Sequence, residues 1–215
     1  MSHPILTISR SFGSGGGLIA KEIGRRLGIP VYDNELISQA AEESGLSREL
    51  FTRSDERRSL FSLSGFFASW RSVAAQGSHD AGAFLSDDAL FKIQSDVIRR
   101  LAEKAVEDGP GLILIGRCAN YILRDLPGGT LDVFIHAPED FRIARICERE
   151  GLGEKEAAAL IARKDRTRQT YYNYYTLGNW GEASEYDLCV DSSLLGIEGT
   201  AEAIISFARA AGRIA

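Results

Sequence analysis

The sequence predicts an α/β fold, a five-stranded parallel sheet flanked by helices. Three observations carry that prediction. Short apolar runs alternate along the chain with longer stretches of helical periodicity. One run, Leu112-Ile113-Leu114-Ile115, is continuously apolar, the mark of a strand buried on both faces. The first run leads through a glycine-rich loop straight into a helix.

Taken in order, Ile5, Leu6, Thr7 and Ile8 form the first strand. Residues 9–17 are a loop with four glycines in its last five positions. From there Leu18, Ile19, Ile23 and Leu27 recur at helical spacing, and Gly28 and Pro30 stop the helix. Residues 29–32 read as the second strand, ending at Asp33. Asp33 or Asn34 caps a helix over residues 35–44, which Gly45 terminates. Ser47 opens a further helix. Leu60, Phe61, Leu63, Phe66, Phe67 and Trp70 then suit the core of a helical insert, a dimer interface or a base-stacking site. Residues 76–83 read as a polar loop. Residues 87–107 form a long helix burying Leu90, Phe91, Gln94, Val97, Ile98, Leu101 and Val106. The third strand ends in Gly116-Arg117-Cys118. Residues 131–136 are the fourth strand and 138–150 a helix. Residues 154–168 form a helix dense in cations, with Tyr171, Tyr172, Tyr174 and Tyr175 just past it. Residues 186–190 are the fifth strand and 200–211 the closing helix.

Composition narrows the function. The 215 residues fit one domain, and 44% hydrophobic with 26% charged content is ordinary for a globular chain. A net charge of −5 argues against a non-specific nucleic-acid or membrane-surface binder. No apolar run reaches the roughly 18 residues of a membrane span. The first strand starts at Ile5, which leaves no room for a signal peptide. Cys118, Cys147 and Cys189 are widely spaced and odd in number. They form no metal motif and suit reduced thiols in the cytoplasm.

The glycine loop points to anion binding. A helix N-terminus offers unpaired N–H groups and the positive end of a dipole, and glycines let the backbone approach a phosphate. Phe12-Gly13-Ser14-Gly15-Gly16-Gly17 suits such a nest, or a turn that only lets helix and strand pack closely. The match to G-x-x-x-x-G-K-[ST] is partial. With Gly15 as the second glycine, the first falls on Arg10, the lysine on Gly16 and the hydroxyl on Gly17. Lys21 lies beyond the usual reach. Parallel sheets bind ligands beyond their strand C-termini, so Ser9, Asp33, Arg117 and Asp191 are expected around one crevice. A glycine loop, an acid, a guanidinium and an arginine-rich helix suit phosphoryl transfer, where catalysis is mainly positioning and charge neutralisation. Each residue also has a plainer reading. Arg10 suits a surface ion pair, Asp33 a helix cap and Arg117 a buried salt bridge. Arg163, Arg166 and Arg168 suit a solvated face paired with Glu154, Glu156 or Asp165. The tyrosines suit lid packing. His3, His79 and His136 have no partner at catalytic or metal spacing.

Over about residues 5–207 the chain resembles the nucleoside monophosphate kinases, most closely the cytidylate kinase-like family. The segments that carry this are ISRSFGSGGGLIAKEIGRRLGIPVYD, LFKIQSDVIRRLAE, ILIGRCANYIL, KDRTRQTYYNYYTLGNWGEASEYDLCVDSS and LGIEGTAEAI. The resemblance implies a single P-loop NTPase domain, with a helical acceptor-side insert over 44–85 and a lid over 151–180. It implies ATP and Mg2+ as cofactors and transfer of the γ-phosphoryl group to a nucleoside monophosphate, CMP or dCMP first. Ser11, Phe12, Gly13, Ser14, Gly15, Gly16 and Gly17 would hold the donor phosphates. Arg10 would supply the charge of the family's loop lysine, which falls on Gly16. Asp33 would place magnesium, and the arginines Arg163, Arg166 and Arg168 would close over the reacting phosphates. Arg145 and Arg149 fall where an arginine stacks on adenine. Arg117 matches the arginine of a G-R-D motif that contacts CMP, with Tyr171 and Tyr172 beside the acceptor. The aspartate of that motif is Cys118 here, and the acid before its glycine is Ile115. Two other readings stay open: a nucleotide-binding sensor or interaction module with little kinase activity, and a kinase for another small-molecule acceptor. The expected partners are small-molecule nucleotides, with no nucleic acid and no membrane; a homodimer stays open.

Overall fold

A computed structural model describes residues 4–43 and 81–214. The helix expected from Ser47, the aromatic cluster from Leu60 to Trp70 and most of the 44–85 insert lie outside the described residues. The described residues fall into two compact units. One comprises residues 4–34 and 99–214, the other residues 35–43 and 81–98.

The elements, in chain order, are β1 (Ile5–Arg10), α1 (Gly16–Leu27), β2 (Val31–Tyr32), α2 (Asn34–Glu43), α3 (Ala81–Glu107), β3 (Leu112–Ile115), α4 (Ala119–Ile122), β4 (Leu131–His136), α5 (Glu139–Glu150), α6 (Glu154–Thr176), a 3-10 turn (Ala183–Glu185), β5 (Leu188–Asp191) and α7 (Ser192–Ala210). The five strands are all parallel in the order β2-β3-β1-β4-β5. The order reverses at central β1, and a parallel sheet opens its ligand crevice at such a point. That puts the glycine loop, which follows β1 directly, at the crevice.

The first unit's core explains why these segments form these elements. Leu6 and Ile8 of β1, Ile113 and Ile115 of β3, and Leu131, Val133 and Ile135 of β4 are buried together. Ile19, Ala20 and Ile23 of α1 and Ala201, Ile204, Ile205 and Ala208 of α7 cover them. Alternate strand residues share a face, and the helix residues recur at three- and four-residue spacing. Each fully buried Ile or Leu contributes about 1.5–3 kcal/mol. Gly28 ends α1 in the left-handed conformation, φ 67°, with its N–H on the Gly24 carbonyl. In the second unit, Ile37 of α2 and Leu90, Ile93, Val97 and Ile98 of α3 are buried, and Gln94 donates to Ser38.

Several boundaries differ from the sequence reading. β1 runs on to Arg10, because β4 continues beside it to the pair Arg10 and Ile135. The ladder holds Ser9 and Arg10 in the strand despite their polarity. α3 begins at Ala81 rather than residue 87, which places 81–83 in a helix and not in the expected loop. α6 continues to Thr176 and takes the four tyrosines with it, since no glycine or proline intervenes before Gly178. Of the strands, β2 shortens to two residues and β5 shifts to Leu188–Asp191. α7 starts at Ser192, where the Asp191 side chain accepts the Ser193 N–H; a non-helical Gly196 marks the kink behind which the expected helix lay. The short α4 was not expected.

One half-buried acid gives a stability test. Asp132 on β4 accepts a hydrogen bond from Thr7 Oγ1 at 2.7 Å. Burial raises its pKa, helped by the nearby Asp187 carboxylate and opposed by the hydrogen bonds from Thr7 and Thr130. A raised folded-state pKa stabilises the fold below the unfolded value, and that contribution is lost as pH rises through the folded value. Asp132→Asn keeps the Thr7 acceptor and removes the half-buried charge. Its melting temperature is expected to exceed the parent's at pH 7, with the gap closing at acidic pH. Thermal scans at both pH values check this, and a lower melting temperature at pH 7 would contradict it.

Candidate functional site

The loop between β1 and α1 is shaped by its own polar groups. Ser11 N–H continues the ladder to the Ile135 carbonyl at 3.0 Å. Ser14 is fully buried beneath the loop; its Oγ donates to the Ser11 carbonyl at 2.9 Å and accepts the Gly16 N–H at 3.4 Å. Ser192 Oγ donates to the Ser14 carbonyl at 2.6 Å, which ties the loop to α7. Gly15 sits at φ 82° immediately before the helix, a conformation that suits glycine, and its carbonyl receives the Leu18 and Ile19 N–H groups. The first amides of α1 have no intrahelical acceptor and carry the positive end of its dipole.

Over this loop lies a pocket of about 310 Å³, at the lower end of the roughly 300–1,000 Å³ of small-ligand sites. Arg10, Ser11, Phe12, Gly13, Gly15, Gly16 and Gly17 line it from the loop side, with Leu18 and Lys21 of α1, Asp33, Ile115, and Arg145, Arg149 and Arg168. Five cations therefore face one carboxylate, in a chain of net charge −5. Burial, followed by the nearby Arg168 and Arg117 cations, pushes the Arg10 guanidinium down to about 9, while Asp33 pulls it the other way. Burial also lowers Arg168. A guanidinium stays charged at neutral pH all the same. Such crowding is unfavourable in isolation and favourable around a polyanion.

Arg10 takes the room that a loop lysine would need. A Cβ built on Gly16 would lie 2.6 Å from Arg10 Cβ and 2.9 Å from Arg10 Cγ. A Cβ on Gly116, at the end of β3, would run into Arg10 Nη1. The Arg10 stem thus lies on one glycine and its guanidinium over another, spanning from β1 to the β3 terminus.

The arginine helix reaches the loop from the far side. Asp165 Oδ1 accepts the Phe12 N–H at 2.7 Å, and Asp165 Oδ2 accepts Arg142 Nη1 at 2.6 Å. Arg142 Nη1 lies 3.2 Å from the Phe12 carbonyl. Arg168 Nη1 donates to the Arg10 carbonyl at 2.9 Å. The Phe12 ring has the Arg149 guanidinium at 5.2 Å and the Arg168 guanidinium at 5.5 Å, within cation–π range.

Not every expected residue lines the pocket. Arg163 and Arg166 are exposed on α6, because helical phase brings Arg168 to the loop and leaves them outside. Ser14 supports the loop from below instead of lining it. Arg117 does not line the pocket; its Nε donates to Asn34 Oδ1 and its guanidinium lies 5.0 Å from the Tyr171 ring centre. Tyr172 is buried, accepting from Asn120 Nδ2 at 2.9 Å and donating to Glu185 at 3.4 Å. Of the four residues expected around one crevice, Asp33 alone lines the pocket. Ser9 is buried, Asp191 caps α7, and Arg117 acts on Arg10 through charge. Burial pushes the Cys118 thiol up to about 12, which makes it a poor nucleophile. Lys21 corrects the sequence reading in the other direction. It sits four residues past Gly17, on the same helix face, and lines the pocket. Asp165 and Arg142 were also missed as loop contacts. Among the described residues, no three His, Cys, Asp or Glu side chains form a metal cluster, and no helix is long and apolar enough to cross a membrane.

A parallel sheet whose central strand feeds a glycine loop and helix, with cations gathered over the loop, defines the P-loop NTPase fold class. The chain belongs to the cytidylate kinase-like family, whose sequence profile matches residues 5–194. It is similar to the cytidylate kinase of Pyrococcus horikoshii, with 26% identity over 197 residues covering 91% of this chain and 83% of that one. A crystal structure described as an uncharacterized protein from Eubacterium ventriosum matches with a TM-score of 0.68 at 27% identity, over 95% of this chain and 97% of that chain. Shikimate kinase from Bacteroides thetaiotaomicron shares the fold, with a TM-score of 0.50 at 15% identity, over 96% and 98% of the two chains.

Proposed function

We propose that the chain transfers the γ-phosphoryl group of ATP to a nucleoside monophosphate, with CMP and dCMP the first candidates. The observation that carries this reading is the pocket over the glycine loop, lined by five cations and one carboxylate in an acidic chain. Family membership and the kinase fold support phosphoryl transfer to a nucleotide or another small molecule.

In this reading the α1 amides and Arg10 hold the donor phosphates, and Lys21, Arg145, Arg149 and Arg168 supply further positive charge. Phosphoryl transfer asks the protein chiefly to align donor and acceptor and to neutralise charge on the equatorial oxygens. The acceptor phosphate is already anionic, so no general base is needed. Arg117, oriented by Asn34 and Tyr171, is suited to hold the acceptor. Magnesium is compatible with the donor set, since one carboxylate suffices when substrate phosphates and water supply the other ligands. Asp33 would hold it, and the ion would add charge neutralisation between the phosphates. The 151–180 segment is read as the lid and 44–85 as the acceptor-side insert.

A coupled ADP-release assay across CMP, dCMP, UMP, AMP and non-nucleotide acceptors tests the reading. The expected result is turnover with CMP or dCMP well above the rest. Turnover confined to a non-nucleotide acceptor would favour the second reading, a kinase for another small molecule. The buried Cys118 motivates that reading, because it stands where the family's acceptor-side aspartate falls. ATP binding without turnover on any acceptor would leave a nucleotide-binding module.

A further inference from the structure

We propose that Asp165 is a positioning residue that locks the phosphate loop and the arginine helix α6 into one register. The proposal deepens the phosphoryl-transfer reading of the same site. Asp165 does not line the pocket. Its two oxygens are turned to the back of the loop, one on the Phe12 N–H and one on Arg142, which itself reaches the Phe12 carbonyl. Both backbone groups of Phe12 are thereby fixed from outside the loop. One helical turn on, Arg168 donates to the Arg10 carbonyl and lies 4.0 Å from Asp165 Oδ1. The Phe12 side chain packs against Ile146, Ala157 and Ile161 between α5 and α6. Phe12 is thus a peg with its backbone held by Asp165 and Arg142, its ring by Arg149 and Arg168, and its edge by a small apolar core.

The consequence is that Arg168 is preorganised at the loop. Arg168 is held at the loop by its bond to the Arg10 carbonyl, so little of its side-chain freedom remains to be lost when a polyphosphate arrives. Asp165 achieves this although it is an acid beside an anion site. Coulomb's law alone says that removing a carboxylate there should tighten anion binding. A positioning role says the reverse, and the sign of the effect separates the two.

The test uses the full chain, 15N-labelled, with Asp165→Ala and Asp165→Asn. The first readout is hydrogen exchange at the Phe12 amide without ligand; the second is ATP affinity by calorimetry. In Asp165→Ala the Phe12 amide is expected to exchange faster while amides of β1 and β4 keep their protection. ATP affinity is expected to fall roughly tenfold, the size of one charged hydrogen bond. Asp165→Asn keeps the shape and an acceptor for Phe12 but loses the pairing with Arg142, so its affinity should fall between, which guards against a fold defect in the alanine variant. Unchanged or tighter ATP binding in a folded variant overturns the proposal, as does unchanged Phe12 exchange in Asp165→Ala. Should the parent chain bind no ATP, the phosphoryl-transfer reading fails, and the Phe12 amide alone decides on the lock.

Discussion

Replacing Gly16 by lysine, which rebuilds the consensus cation of a phosphate loop, is expected to weaken ATP binding rather than tighten it, by roughly 5- to 150-fold. The new Cβ would fall 2.6 Å from Arg10 Cβ, and neither atom is the far end of a flexible side chain. Both belong to backbone segments fixed by the buried central strand and the first turn of α1. Overpacking of this kind typically costs about 1–3 kcal/mol even where neighbours can yield. Here the atom that must yield belongs to the proposed phosphate ligand. Gly16→Ala separates space from charge: it adds the Cβ without the ammonium and should lose affinity as well. The Arg10→Gly, Gly16→Lys double variant removes the obstruction and should recover part of the binding, a non-additive cycle that marks two residues sharing one space. Calorimetric titration with ATP reads the parent, Gly16→Ala, Gly16→Lys, Arg10→Gly and the double variant, the last three closing the cycle with the parent. A Gly16→Lys chain that binds ATP like the parent would show that the Arg10 stem does not occupy the lysine's place.

Arg10→Ala is expected to weaken ATP binding by about 1.5–3 kcal/mol, the worth of a charged hydrogen bond. It is also expected to raise the melting temperature of the ligand-free chain. The two effects share a cause. Burial and the nearby Arg168 and Arg117 cations disfavour the Arg10 charge in the absence of ligand, with Asp33 offsetting only part of this. Removing the guanidinium relieves the repulsion and also removes the grip. Arg10→Lys should recover only some affinity, since an ammonium lacks the planar fork that spans two phosphate oxygens. Thermal scans without nucleotide, set beside titrations with it, check the opposed signs. Equal ATP affinity in the alanine variant would take Arg10 out of the site.

The sheet was legible because its strands are apolar runs in an alternating order, and Leu112–Ile115 and 131–136 fall where the pattern puts them. The glycine loop was legible as a nest for the same local reason. What the pattern did not carry is tertiary. β1 extends through Ser9 and Arg10 because β4 lies alongside, which no property of those two residues announces. The tyrosines continue α6 because nothing in their run breaks a helix and the Asn120 and Glu185 contacts hold Tyr172 inside. Arg163, Arg166 and Arg168 look alike in a list of cations, and helical phase alone sets Arg168 apart. Distance along the chain puts Lys21 out of reach, whereas its i, i+4 relation to Gly17 sets it on the pocket side of α1. Asp165 stands among cations in sequence, where an ordinary surface ion pair explains it; its loop contact joins residues 153 positions apart.

The gathering of positive side chains over the loop bears on kinetics as well as affinity. Under the proposed function, anionic substrates would meet a chain of net charge −5 whose cations gather at one place. A field of that shape channels diffusing nucleotides toward productive encounter and weakens as counter-ions screen it. Ionic strength would then act mostly on the rate of arrival, while departure is governed by the short-range contacts made inside.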